Sequence, residues 1–109
     1  MKRYCQILRL KNDPDLIAGY KEAHANVWPE VKAGIHEVGI LDMQIYLRDN
    51  VLFMIMDTVD EFDWEKDNAR LASLPGQKEW EEFVARFQEA DPDAPSHEKW
   101  RLMERIFKL

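Results

Sequence analysis

Tyr20 and His24 are four residues apart, a spacing that puts them one turn apart on the same face of a helix. Their polar tips can then reach one bound molecule. A neutral imidazole with a reference pKa of about 6.5 can give or accept a proton at physiological pH. A phenol beside it can hydrogen-bond a hydroxyl or orient the ring. On spacing alone, packing is the commoner explanation, with Tyr20 a core aromatic and His24 a satisfied histidine. Trp80 calls for the same weighing. It shares an apolar stripe with Phe83, Val84 and Phe87, and such stripes are usually core. Its place just after Pro75-Gly76 also suits a pocket wall, where an indole face packs against a C–H face and its N–H serves a hydroxyl. Trp28 reads as a staple at the Pro29 break, and Trp64 and Trp100 as packing residues.

Other chemistries find little support. There is no glycine-rich phosphate loop, nucleophile elbow, paired-cysteine motif or metalloprotease helix. His36 and His97 are too scattered from His24 for a metal site, and Cys5 stands alone. The acid pairs Glu81-Glu82 and Asp91/Asp93 read as solvated. Fifteen Lys and Arg against 21 Asp and Glu leave a formal charge of −6, which repels phosphate backbones and anionic lipid. An uncharged small molecule suits such a surface better than nucleic acid or a membrane. No apolar run reaches the roughly 20 residues a membrane helix needs. The opening Met-Lys-Arg-Tyr-Cys-Gln lacks a signal-peptide core, so the expected compartment is the cytoplasm.

The elements that must position these residues follow from the pattern. With 109 residues, 46% hydrophobic and 33% charged, the chain has the profile of one packed domain, residues 1–109. Lys2–Leu10 reads as a strand covered on both faces. Asp13-Pro14 starts a helix through about Ala25, Asp13 as cap and Pro14 at the first helical position. Pro29 interrupts the pattern and opens a fresh helix to Val38, which Gly39 ends. Ile40–Arg48 alternates strictly, with Leu41, Met43, Ile45 and Leu47 on one face. Asp49-Asn50 turns it into the apolar strand Val51–Val59. A second helical half starts near Asp60 and breaks at Pro75-Gly76, and the helix bearing Trp80 follows. Ala90–His97 is a proline-rich loop, and Lys99–Leu109 a closing strand, with short helix as the other option.

Strand, broken helix, strand, strand, broken helix, strand is the ferredoxin-like α+β plan, βαββαβ, with helices on one face of an antiparallel sheet. One layer of helices leaves the other face of Val51–Met56 uncovered. A second copy facing it would supply the cover, so a homodimer through the open sheet face is expected.

The run Tyr20-Lys-Glu-Ala-His24-Ala-Asn-Val-Trp28-Pro29-Glu30 resembles the L-rhamnose mutarotase family. The likeness continues through Ile45-Tyr46-Leu47, Leu52–Met56, Trp80, the Asp-Pro-Asp loop and Ile106-Phe107-Lys108-Leu109. It implies a dimeric α+β barrel that interconverts the α and β anomers of L-rhamnose without a cofactor. It further implies His24 as proton donor, with Tyr20 and Trp80 binding the sugar. Two positions depart from the family pattern: Met43 where a second tyrosine is expected, and Glu81 where a second tryptophan follows the first. Changes of that kind alter which hydroxyl configuration fits, which keeps L-fucose open as a substrate. The expected mechanism is acid–base ring opening, followed by rotation and reclosure. His24, as imidazolium or through water, protonates the ring oxygen while a base takes the anomeric proton. General acid–base help of ~10²–10⁴-fold is most of what is required. A non-catalytic sugar-binding protein and a haem-binding or oxygenase-type barrel are the competing classes, and fold analogy does not choose among them.

Overall fold

The computed structural model describes residues 1–109. The elements run β1 (Lys2–Arg9), α1 (Pro14–Ala25), α2 (Pro29–Glu37), β2 (Ile40–Arg48), β3 (Val51–Thr58), α3 (Trp64–Ala72), α4 (Gln77–Ala85), α5 (Ser96–Lys99) and β4 (Arg101–Leu102). They form one four-stranded sheet of order β2-β3-β1-β4, with every neighbour antiparallel. This is the strand order of the α+β plan expected from the sequence. No helix is long and apolar enough to cross a membrane.

Register decides which side chains meet the helices. Gln6 lies opposite Met54 and Leu8 opposite Leu52, and all four are buried on the helix side. Ile7 opposite Phe53 and Cys5 opposite Ile55 point the other way and are half-buried. The core is built from the first set with Leu10, Phe62, Val84 and Phe87. On β2 the strict alternation breaks once. Ile40 pairs with Thr58 and Asp42 with Asp57, so Leu41 is one extra residue in a bulge. Leu41 is therefore turned out, 51% exposed, and Ile40 takes its expected place inside.

Caps set the helix starts. Asp13 Oδ1 accepts from the backbone N–H of Asp15 at 2.9 Å and Leu16 at 3.2 Å, and Pro14 occupies the first turn. The second helical half begins later than Asp60. Asp63 is its cap, accepting from Lys66 N–H at 2.8 Å while its own N–H donates to Asp67. That reciprocal pair satisfies two free donors, which Asp60 does not do.

The C-terminal region departs most from expectation. Ser96–Lys99 is a short helix rather than loop, and the closing strand shrinks to Arg101–Leu102 on β1. After the bond from Met103 N–H to Cys5 O at 2.8 Å, the chain leaves the sheet. Ile106 and Phe107 are 88% and 75% exposed.

Gly76 fixes how α4 leaves the Pro75 break. Its φ is +80°, in the left-handed region, and an added Cβ would collide with Glu30 Cγ. Gly76→Ala is expected to destabilise the fold by at least ~1–2 kcal/mol, the cost of left-handed backbone for an L-residue. Urea denaturation checks this, and an unchanged midpoint contradicts it.

Candidate active site

The Asp13 cap and the α1 pattern bring Tyr20 and His24 to the inner face of the helix. Tyr20 is 3% exposed and meets Phe87 edge-on, with centroids 6.2 Å apart. His24 stacks on Tyr20 at 4.1 Å and 31°. On its other side Trp80, 6% exposed, meets the imidazole edge-on at 5.3 Å. All three residues singled out in the sequence thus line one cavity of about 430 Å³. That lies within the roughly 300–1,000 Å³ usual for small-molecule sites. Trp28 stacks on Phe83 and abuts Trp80, so it staples the helix break as expected.

The sheet forms the cavity floor. Met43, Ile45, Met54 and Met56 supply apolar surface, so the departure at Met43 does face the site. Gln6 sits among them, its Nε2 donating to Met54 Sδ at 3.5 Å and Met56 Sδ at 3.9 Å. Sulfur is a weak acceptor, so this amide remains free to exchange partners with a ligand.

Further polar groups close the cavity. The bridge between Leu10 and Gln88, with Lys11 N–H bonding Phe87 O at 2.9 Å, pins the chain after α4 to the end of β1. Gln88 Oε1 is buried there without a hydrogen-bond partner. Such an orphan acceptor costs ~1–3 kcal/mol, a cost removed by a ligand hydroxyl. Glu81 is half-buried on the cavity wall, contrary to the solvated placement read from its pairing with Glu82, which alone is exposed. Its place on α4, four residues after buried Gln77 and three before buried Val84, turns it inward. Lys99 and Trp100, both buried, complete the wall from α5. Trp100 therefore lines the site as well as packing, whereas Trp64 packs on Tyr4, as expected. A polar Gln6 within an apolar strand was a signal available in the sequence. Gln88, Lys99 and Trp100 carry none, because only the folded loop brings them inward.

Burial tunes the titratable groups. His24 is pushed below its ordinary value by desolvation, with its bond to the Tyr20 carbonyl opposing. Tyr20 is raised by burial first and by the charge of Glu81 second, while the Gln88 amide pulls it down. Glu81 is raised by burial, with Lys99 and Ser96 opposing. The His24 tautomer follows from geometry. Nδ1 lies 3.0 Å from Tyr20 O, an atom that only accepts, so the neutral ring carries its hydrogen on Nδ1. Nε2 is then a lone pair.

His36 bonds the carbonyl of Ile40 at 3.2 Å and His97 meets Glu65 at 3.1 Å, so neither joins His24. No three His, Cys, Asp or Glu side chains gather as a metal-binding group.

A ferredoxin-like α+β protein with a histidine, a phenol and a carboxyl converging on a sugar-sized cavity is equipped for proton transfer on a neutral small molecule. A sequence model described as L-rhamnose mutarotase matches residues 3–109, and the chain belongs to that family of carbohydrate isomerases. An L-fucose mutarotase of Xanthomonas campestris is 39% identical, over 100% of this chain and 89% of that protein. An L-rhamnose mutarotase of Bacteroides thetaiotaomicron is 32% identical, over 85% of this chain and 86% of that one. The crystal structure of an L-rhamnose mutarotase from Formosa agariphila superposes with a TM-score of 0.76 at 23% identity, covering 100% and 99% of the two chains. That likeness supports the fold.

Two NMR observables test the site's electrostatics. The His24 ring nitrogens are expected to show the neutral Nδ1–H form at pH 7 and a titration midpoint below ~6.5. A ring still protonated at pH 7 contradicts the assignment.

Proposed function

We propose that the protein interconverts the α and β anomers of a 6-deoxyhexose, L-rhamnose or L-fucose, by acid–base ring opening and reclosure at His24. The convergence of Tyr20, His24 and Trp80 on one cavity carries this reading. Neutral His24 takes the proton of the anomeric hydroxyl on Nε2 as the C1–O5 bond breaks, O5 takes up a proton and the aldehyde forms. This is the reverse of the expected assignment, because the neutral ring has a lone pair on Nε2 and no proton there to give. The open sugar rotates about C1–C2. On reclosure over the other face, His24 is the proton donor that returns the proton to O1. Tyr20 and Trp80 hold the ring, the phenol through a hydroxyl and the indole through C–H contact. Water performs the same exchange slowly, so a general acid–base contribution of ~10²–10⁴-fold is an adequate enzyme.

L-fucose is supported by a specific observation beside the family's own sugar. A relative 39% identical over the whole of this chain is named for L-fucose, and Glu81 puts a hydrogen-bonding carboxyl in the site. The two sugars differ in which ring hydroxyls are axial, and an added acceptor discriminates such configurations by the cost of an unpaired buried group.

The working unit we propose is a cytoplasmic homodimer of single-domain subunits. Ile7, Phe53 and Ile55 form an apolar strip on the sheet face that the helices leave uncovered, and the exposed Ile106 and Phe107 lack cover in one copy. Phe53→Glu is expected to give a folded monomer, measured by light scattering after size exclusion. A dimer surviving that charge places the interface elsewhere.

Anomer exchange is read by saturation-transfer NMR with L-rhamnose and L-fucose side by side. His24→Ala is expected to lose ~10²–10⁴-fold and approach the solvent rate. Tyr20→Phe is expected mainly to raise the sugar concentration needed for half-maximal exchange. Wild-type rates in His24→Ala rule out the role given to His24.

A further inference from the structure

We propose that Glu81 is the second proton-transfer group of the site, serving the ring oxygen while His24 serves the anomeric hydroxyl. The inference rests on the mutarotase reading and deepens it. Ring opening moves two protons, one off O1 and one onto O5, and His24 with a single free nitrogen, Nε2, handles only one at a time. A second group in the same cavity would serve the other proton in place of water.

Glu81 meets the positional requirements. It follows directly on Trp80, whose indole touches the His24 ring at 5.3 Å, and it lines the same cavity. Its charge bears on the Tyr20 phenol, which stacks on His24. None of the chain's salt bridges engages it, and its neighbours are the Ser96 hydroxyl, which hydrogen-bonds the carboxyl, and the Lys99 ammonium. The other charged or titratable groups are few. Lys99 from α5 is buried on the cavity wall and favours the carboxylate. Lys78 and Glu82 of its own helix and Asp93 of the following loop lie at the exposed rim, and His97 is tied to Glu65.

The step balances. Protonated Glu81 gives its proton to O5 as the C1–O5 bond breaks, while O1–H passes its proton to His24 Nε2 and the C1=O1 bond forms. The products are the open aldehyde, a Glu81 carboxylate and a His24 imidazolium. On reclosure O5 adds to C1, its proton returns to Glu81, and the imidazolium reprotonates O1. Neither side chain is changed after a turn. Burial prepares the pair for these roles, raising the carboxyl and lowering the imidazole toward each other.

The active state holds one proton between the two groups. Exchange therefore falls at low pH, where both are protonated, and at high pH, where neither is. The experiment measures anomer exchange against pH by saturation-transfer NMR in the wild-type protein, Glu81→Gln and Glu81→Ala. Glu81→Gln is expected to lose about 10²-fold and to lose the alkaline limb, keeping the acid limb set by His24. Glu81→Ala is expected to be equally slow and to recover with added formate, a carboxylate small enough for the vacated space. A Glu81→Gln protein that keeps the wild-type rate, or whose alkaline limb persists, overturns the role. So does one whose half-saturating sugar concentration alone has shifted, since that makes Glu81 a hydroxyl acceptor only. A wild-type protein that exchanges anomers at the solvent rate overturns the mutarotase reading itself.

Discussion

The ring of His24 is fixed from two directions, by a hydrogen bond from Nδ1 to the carbonyl of Tyr20 and by the stacked phenol of the same residue. Both contacts come from one residue a single turn earlier, so the helix itself sets the tautomer and the tilt of the imidazole. Everything else in the site is arranged against that fixed ring. Trp80 from α4 closes its outer edge, and the methionine-rich floor of β3 and β2 sits beneath the cavity. A mobile histidine on the same helix would have its proton on either nitrogen and no defined lone pair. The four-residue spacing removes that ambiguity before any tertiary contact is made.

The consequence is a site whose polarity depends on dryness. Burial pushes His24 down and Glu81 up from their ordinary values, two shifts of opposite direction from one cause. Tyr20 is kept un-ionised by the same burial, so the phenol stays a hydrogen-bonding group rather than a third titrating partner. Apolar lining from Met43, Ile45, Met54 and Met56 maintains this environment. Methionine adapts its shape around irregular ligands, which suits a floor that meets a sugar in two anomeric forms and an open chain.

Much of this was legible in the sequence, for reasons that differ by element. Asp13-Pro14 is a self-contained helix start, and Tyr20 and His24 inherit their relation from helical geometry alone. The strands β2 and β3 announce themselves through period and apolarity. What escaped reading depends on long-range contacts. The bulge at Leu41 shifts only the first residue of β2, and alternation carries no mark of it. Glu81 looks like half of a solvated acid pair until the packing of α4 turns one carboxyl in and leaves Glu82 out. Gln88 and Lys99 become wall residues only because a two-residue strand and a four-residue helix fold the chain's end back onto β1. The closing strand itself was overread, since apolar residues at 106–109 announce burial without saying on what.

That last point bears on how so small a chain can be an enzyme. With 109 residues, a single layer of helices must at once seal the core and build a cavity of about 430 Å³. The cavity removes packing from the side of the sheet that would otherwise be the best-filled part of the molecule. Buried polar groups without a partner, such as the Gln88 oxygen, lower stability further. The apolar strip on the opposite face offers the missing burial without touching the site. In the proposed dimer, a partner laid on Ile7, Phe53 and Ile55 would strengthen the sheet from behind and leave α1 and α4 free to shape the front. In such a division of labour the sheet is shared between stability on one face and chemistry on the other, and the two can vary independently. Substitutions such as Met43 and Glu81 then alter the cavity surface without requiring any change in the opposite face of the sheet.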